Sequence, residues 1–109
     1  MKKTLDKCDL FIKGGDFLDG TGRPSMKADV AINGDRVVAI GIVNVENPEQ
    51  TIDATNHMIA PGFIDVHTHD DRLLLSNPEV TPKLSQGVTT VVVGNCGASL
   101  SPWLSNFPP

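Results

Sequence analysis

Residues 88–93 (VTTVVV) constrain this chain more than any other segment, because all six are β-branched. Such side chains favour extended backbone. A run without polar alternation suits a strand buried on both faces, as in a parallel sheet. Parallel neighbours need a crossover, usually a helical one, and the sequence supplies it. Residues 63–66 (FIDV) read as a short strand. Residues 73–86 have helical stretches interrupted at Asn77-Pro78 and at Pro82, and Gly87 is placed to end the helix. The order strand, helix, strand predicts a βαβ unit.

Upstream of Pro61-Gly62 the pattern is different. Residues 9–13 (DLFIK) read as a strand closed by Gly14-Gly15. Residues 28–33 and 36–40 flank Asn33-Gly34, a strong hairpin pattern, since both residue types tolerate positive φ. Residues 51–53 and 57–60 read as another short pair around Ala54-Thr55-Asn56. Short strands at this spacing predict a small β-sandwich or barrel-like module. The fold class expected is therefore mixed β and α/β. Residues 1–60 would belong to a small β-domain, and residues 61–109 would open an α/β domain. The last nine residues, SPWLSNFPP, are irregular, and Trp103, Leu104 and Phe107 have no evident partner there.

Composition removes several classes of function. The chain has 109 residues and a formal net charge of -4, with 39% hydrophobic and 20% charged residues. Its nine Lys and Arg are scattered, whereas phosphate backbones demand clustered cations. Nucleic acid is not an expected partner. The start, MKKTLDKCDL, is basic but lacks the roughly 7–15-residue apolar run of a secretory leader. No stretch approaches the roughly 20 apolar residues of a membrane span. No membrane is expected as a partner, and the expected location is cytoplasmic. Cys8 and Cys96 lie far apart and do not form a disulfide framework.

The residues that carry chemistry follow the change of pattern. In PGFIDVHTH, His67 and His69 are two positions apart. On a strand such residues point to one face, so both imidazoles can aim at one metal ion. The competing reading is a pair of surface histidines. In GVTTVVVGNCG, Cys96 falls just past the end of a buried strand, the end at which α/β barrels build their sites. A thiolate there is a strong zinc ligand; the competing reading is a buried cysteine serving as a small hydrophobe. Gly94 and Gly97 allow the backbone to turn tightly around it. Asp65 is positioned to accept a hydrogen bond from a ligating imidazole. Asp70 and Asp71 read equally well as a solvated loop. Cys8 is expected in packing or at the surface, and His57 has no functional context.

At these residues the chain resembles the amidohydrolase superfamily, whose first barrel strand ends in a His-x-His metal motif. The combination of HTHDD (residues 67–71), TPKLSQGVTTVVVGNCG (residues 81–97), Ser99 and DGTG (residues 19–22) is similar to the N-acyl-D-amino-acid deacylase, or D-aminoacylase, family. The resemblance implies part of a small β-sandwich domain followed by the first one to two units of a TIM-like barrel. It implies zinc as cofactor. His67 and His69 would match the ligands of a weakly held ion, and Cys96 a ligand of a tightly held one. It further implies hydrolysis of the amide bond of N-acyl-D-amino acids by a zinc-activated water.

The family also needs two more histidines and a catalytic aspartate from later strands, so no catalytic residue is assignable here. A complete barrel takes about 250 residues, roughly 31 per unit, so residues 61–109 suffice for about one and a half units. The chain is expected to be an N-terminal piece, inactive alone. Its barrel segment would need the remainder of the same polypeptide, or self-association, to cover it. Alternatives are a cyclic-amide hydrolase of the dihydroorotase or hydantoinase type, against which Cys96 argues, and a truncated, non-enzymatic module.

Overall fold

The computed structural model describes residues 3–100, so the expectations for Trp103, Leu104 and Phe107 fall outside the described residues. Strands predominate and the helices are few and short. The chain divides into two compact units, Met1–Pro61 and Gly62–Pro109.

In the first unit, β1 (Lys3–Phe17), β2 (Met26–Asn33), β3 (Arg36–Gly41), β4 (Val43–Asp53) and β5 (Met58–Ile59) form one mixed sheet. Its order is β3-β2-β1-β4, with β5 also paired to β1. The expected hairpin is present, but one residue out of place. Asn33 pairs with Arg36, leaving Gly34-Asp35 as the two-residue loop. Gly34 takes a φ of 54°, and a turn with positive φ at its first central position is one that favours glycine there.

Gly14-Gly15 does not close β1, which runs on to Phe17. The register between β1 and β2 shifts between Ile12 and Gly15, so the glycines form a bulge rather than a stop. Each has its own reason. Gly14 has a φ of 74°, costly for other residues. A Cβ on Gly15 would stand 2.5 Å from Cγ1 of Ile59. Asp29 ties the bulge to β4. Its carboxylate accepts the Gly14 N–H at 2.9 Å and the Val43 N–H at 3.0 Å. Asp29→Ala should therefore strand two backbone donors and cost about 1 kcal/mol, read as a lower urea midpoint with an unchanged m-value.

The expected pairing of residues 51–53 with residues 57–60 is absent. Both stretches run parallel to β1 instead: Phe11 pairs with Thr51 and Lys13 with Asp53, then Asp16 with Met58 and Phe17 with Ile59. Residues 54–57 are an interruption in one sheet edge. There the Ala54 N–H donates to the Lys13 carbonyl at 2.8 Å, and Asn56 adopts a φ of 63°. The sheet covers a core of Cys8, Phe11, Ala31, Ala39 and Val43. Cys8, only 1% exposed, is a packing residue.

The second unit contains the strand–helix–strand pattern. β6 (Phe63–Asp65) is followed by α1 (Asp71–Ser76), α2 (Thr81–Leu84) and β7 (Val88–Val91), and β6 pairs with β7 in parallel. Asn77-Pro78 separates the helices as expected. Pro82 does not break a helix; it lies in the first turn of α2, where a missing N–H costs nothing. Gly87, with a φ of 81°, carries the chain out of the turn after α2. Burial of β7 on both faces is not met: Thr89 and Thr90 are exposed, as are Val92 and Val93 beyond the strand. Among the described residues this unit has a sheet of two strands, too narrow to cover both its faces. No helix among the described residues is long and apolar enough to cross a membrane.

Candidate metal centre

Because β6 and β7 are parallel and Asp65 pairs with Val91, their C-terminal ends lie side by side. The segments leaving those two ends carry His67 and His69 on one side and Cys96 on the other. The histidines are not on the strand itself; β6 stops at Asp65 and both follow it in irregular backbone. Strand alternation therefore does not aim them. Thr68, the residue between, does part of that work: it is 5% exposed while both histidines are exposed. Its inward side chain leaves its neighbours outward.

The donor atoms converge. One nitrogen of His67, one of His69 and the Cys96 sulfur all lie within 4.8 Å of one another. His67 Nε2 is 3.5 Å from Cys96 Sγ, and the two imidazoles meet edge to face with centroids 5.7 Å apart. Cys96 reaches this position through strained backbone. Its φ of 55° and ψ of 25° are left-handed, a conformation costing a non-glycine residue roughly 1–2 kcal/mol. Gly94 and Gly97, with φ of 81° and 76°, take the same hand on either side. The loop thus curls the thiol back toward His67.

Two residues not singled out by their chemistry in the sequence hold the site together. The Asn95 amide donates to the Thr68 carbonyl at 3.2 Å and to the Val92 carbonyl at 2.8 Å. It fastens the histidine segment to the cysteine loop. Lys83, on α2, forms ion pairs with both Asp65 and Asp70, the latter at 3.2 Å. Asp65 was expected to support an imidazole; instead its carboxylate accepts the backbone N–H of His67 at 3.2 Å. The Lys83 ammonium, and then the His67 N–H, hold Asp65 below the usual carboxylate range. Asp70 is also lowered, first by Thr68 and then by Lys83. Lys83 is raised in turn by Asp65 and Asp70. Neither aspartate is therefore a natural proton acceptor near neutral pH.

Asp71 opens α1, and with His69, Arg72 and Gly97 it lines a shallow cleft beside the histidines. His57 lies in the first unit, where its Nδ1 is 2.9 Å from the Thr55 carbonyl oxygen. It takes no part in the cluster. Asn95 lay within the GNCG motif, but nothing in its spacing shows which carbonyls it reaches. Lys83 acts across 18 positions of sequence on Asp65, a separation with no periodic signature.

The chain is 48% identical over 101 residues to a D-aminoacylase of Alcaligenes xylosoxydans xylosoxydans. It is 49% identical over 105 residues to an N-acyl-D-aspartate deacylase of the same organism. In each case 93% of this chain is covered, and the chain spans about a fifth, 21%, of the relative. The fold also matches the crystal structure of N-acyl-D-glutamate deacylase from Bordetella bronchiseptica, complexed with zinc and a phosphonate mimic of the tetrahedral intermediate. That match has a TM-score of 0.79 and 44% identity, covering 89% of this chain and 20% of the other. A model of the amidohydrolase family matches residues 50–106. More than half of the sequence, with the cluster at its centre, falls inside that match: the chain belongs to the amidohydrolase family.

Proposed function

We propose that this chain is the N-terminal part of a zinc-dependent enzyme that hydrolyses the amide bond of N-acyl-D-amino acids. The observation that carries the reading is the convergence of His67, His69 and Cys96 within 4.8 Å. Two imidazoles and a thiolate are donors zinc prefers, and a thiolate argues against magnesium or calcium. With Zn–N near 2.0–2.1 Å and Zn–S near 2.3 Å, a tetrahedral nitrogen–sulfur edge is about 3.5 Å. His67 Nε2 and Cys96 Sγ are separated by 3.5 Å. The donors present therefore fit the metal.

When bound, zinc supplies an activated water and polarises the amide carbonyl. The residues of this chain hold and orient. His67, His69 and Cys96 offer ligands, Asn95 keeps the two ligand segments together, and Lys83 engages the nearby carboxylates. The general base and the remaining ligands come from polypeptide outside this chain. In this reading the first unit is part of a small β-sandwich and the second opens a TIM-like barrel. Exposed Phe63, Ile64, Val66, Val92 and Val93 would be covered by the rest of the polypeptide or by self-association. A reducing, cytoplasmic compartment suits the reading, because it keeps Cys96 available as a ligand. The substrate class rests on likeness to two deacylases that differ in the D-amino acid named.

The test is a stereochemical assay. The full-length protein should release free amino acid from N-acetyl-D-methionine, N-acetyl-D-aspartate or N-acetyl-D-glutamate, and lose that activity when zinc is chelated. The L-enantiomers should be poor substrates. Turnover of dihydroorotate or a hydantoin, with none of the N-acyl-D-amino acids, would overturn it. The 109-residue chain alone should show no turnover, and zinc-dependent activity copurifying with it would refute the need for further residues.

A further inference from the structure

A loop that presents metal ligands is useful only if its two ends are fixed, since an error of about 1 Å in a ligand is costly. Residues 65–70 form such a loop, with an aspartate at each end. Two carboxylates so close repel each other; alone they would spread the ends apart. Lys83 stands between them, paired with Asp65 Oδ2 and, at 3.2 Å, with Asp70 Oδ2. Lys83, Asp65 and Asp70 side chains are 28%, 31% and 18% exposed, and the Asp70 oxygen facing Lys83 is buried and held by the ion pair alone, without a hydrogen bond. This is not the fully solvated pair that contributes almost nothing.

The bonds continue inward from the Asp65 carboxylate and from the Asp70 backbone. Asp65 Oδ1 accepts the His67 N–H, and the Asp70 N–H donates to Thr68 Oγ1 at 3.1 Å. We propose that Lys83 is a positioning residue: by joining Asp65 to Asp70 it closes the base of the loop and fixes the backbone that aims His67 and His69. The charge of α2 is thereby used in the crossover, on the side of the sheet end where the ligands emerge. The loop-closing role stands on these contacts. Its value for metal binding rests on the zinc reading given under Proposed function.

The experiment uses the full-length protein and the variants Lys83→Met, Lys83→Arg and Asp70→Asn. Amide hydrogen exchange of the metal-free protein reports the loop directly. Lys83→Met should speed exchange at residues 67–70 on the order of tenfold, with the rest of the molecule unchanged. Lys83→Arg, which can still span both carboxylates, should stay near wild type. Zinc affinity, measured by competition with a chromophoric chelator, should fall about ten- to a hundredfold in Lys83→Met and little in Lys83→Arg.

Wild-type exchange in Lys83→Met, or an increase spread over the whole unit, would overturn the proposal. Faster loop exchange with unchanged zinc affinity would overturn the link to the metal. If Lys83→Met does not fold, Asp70→Asn removes one arm of the clip and leaves the Lys83–Asp65 pair. It should speed exchange at residues 68–70 by a smaller factor, and no change there would sink the idea. If the wild-type protein takes up no zinc, the deacylase reading fails while the exchange result still decides the clip.

Discussion

Cys96→Ala, made in the complete polypeptide, is expected to lower zinc affinity and deacylation by at least about 100-fold. Residues that merely support a ligand already cost about ten- to a hundredfold in affinity when removed, and a ligand should cost more. Losing the thiolate removes a negative charge as well as a donor, and catalytic zinc sites with three protein ligands have none in reserve. Cys96→Ser should fail similarly, because a hydroxyl is a poor donor for zinc. Cys8→Ala is the control. Cys8 is buried in the core of the first unit, so its loss should leave zinc per protomer unchanged. Removing the Cys96 side chain also changes a residue held at a φ of 55°, and alanine is no more comfortable there. A loss of metal affinity with the thermal stability of the metal-free protein unaltered would therefore report ligation. Full zinc and a wild-type rate in Cys96→Ala would reduce Cys96 to a loop residue and leave the metal reading on His67 and His69.

Gly62→Ala is expected to destabilise the second unit by about 2 kcal/mol and to lower its zinc content. A Cβ at this position would stand 2.1 Å from Thr89 Oγ1, 2.4 Å from Cγ2 and 2.8 Å from Cβ. The whole side chain of a β7 residue is in the way, and Thr89 sits on a strand that cannot yield without shifting β6. Since β6 leads directly into His67, misplacing it misplaces the candidate ligands. Thr89→Gly removes all three contacts. The double variant should then be less destabilised than the sum of the two single variants, a coupling readable from urea midpoints in a double-mutant cycle. Strict additivity would mean that Gly62 is needed for some reason other than closeness to β7.

What the sequence made legible was local. Residues 63–66, 73–86 and 88–93 each carry their own propensity, and the strand–helix–strand order follows from them. The convergence of His67, His69 and Cys96 was legible in part: parallel strands bring consecutive strand ends together, but the strand alternation expected to aim the two histidines is not what aims them, since both lie past the end of β6. The long β4 was hidden. Its first eight residues, VNVENPEQ, contain Asn44, Asn47 and Pro48, all poor strand formers. They are tolerated because β4 is the edge of its sheet, where a missing N–H leaves no partner unsatisfied. The pairing of residues 51–53 with β1, rather than with residues 57–60, is a tertiary choice that short-range turn chemistry does not record. Asn95 and Lys83 escaped for a related reason, since both act on partners brought near only by the finished fold. Asp65 shows the limit of a chemical expectation: its spacing from His67 was informative, but the group it supports is the backbone N–H rather than the ring.

The parallel pairing of β1 with β4 has a consequence for how the protein is made. Lys3 pairs with Val43 and Lys13 with Asp53, each partner forty positions later in the chain. Synthesis proceeds at roughly 5–20 residues per second from the N-terminus, so β1 emerges from the ribosome well before β4 exists. The hairpin of β2 and β3 can form and pair with β1 in that interval. The opposite edge of β1, fifteen residues long, must then wait with its N–H and C=O groups unpaired. An open edge of that kind invites another strand. The nascent chain is most exposed to mispairing with its neighbours on a polysome in the seconds before residue 53 clears the exit tunnel, and Lys3, Lys7 and Lys13 along that strand discourage such contacts.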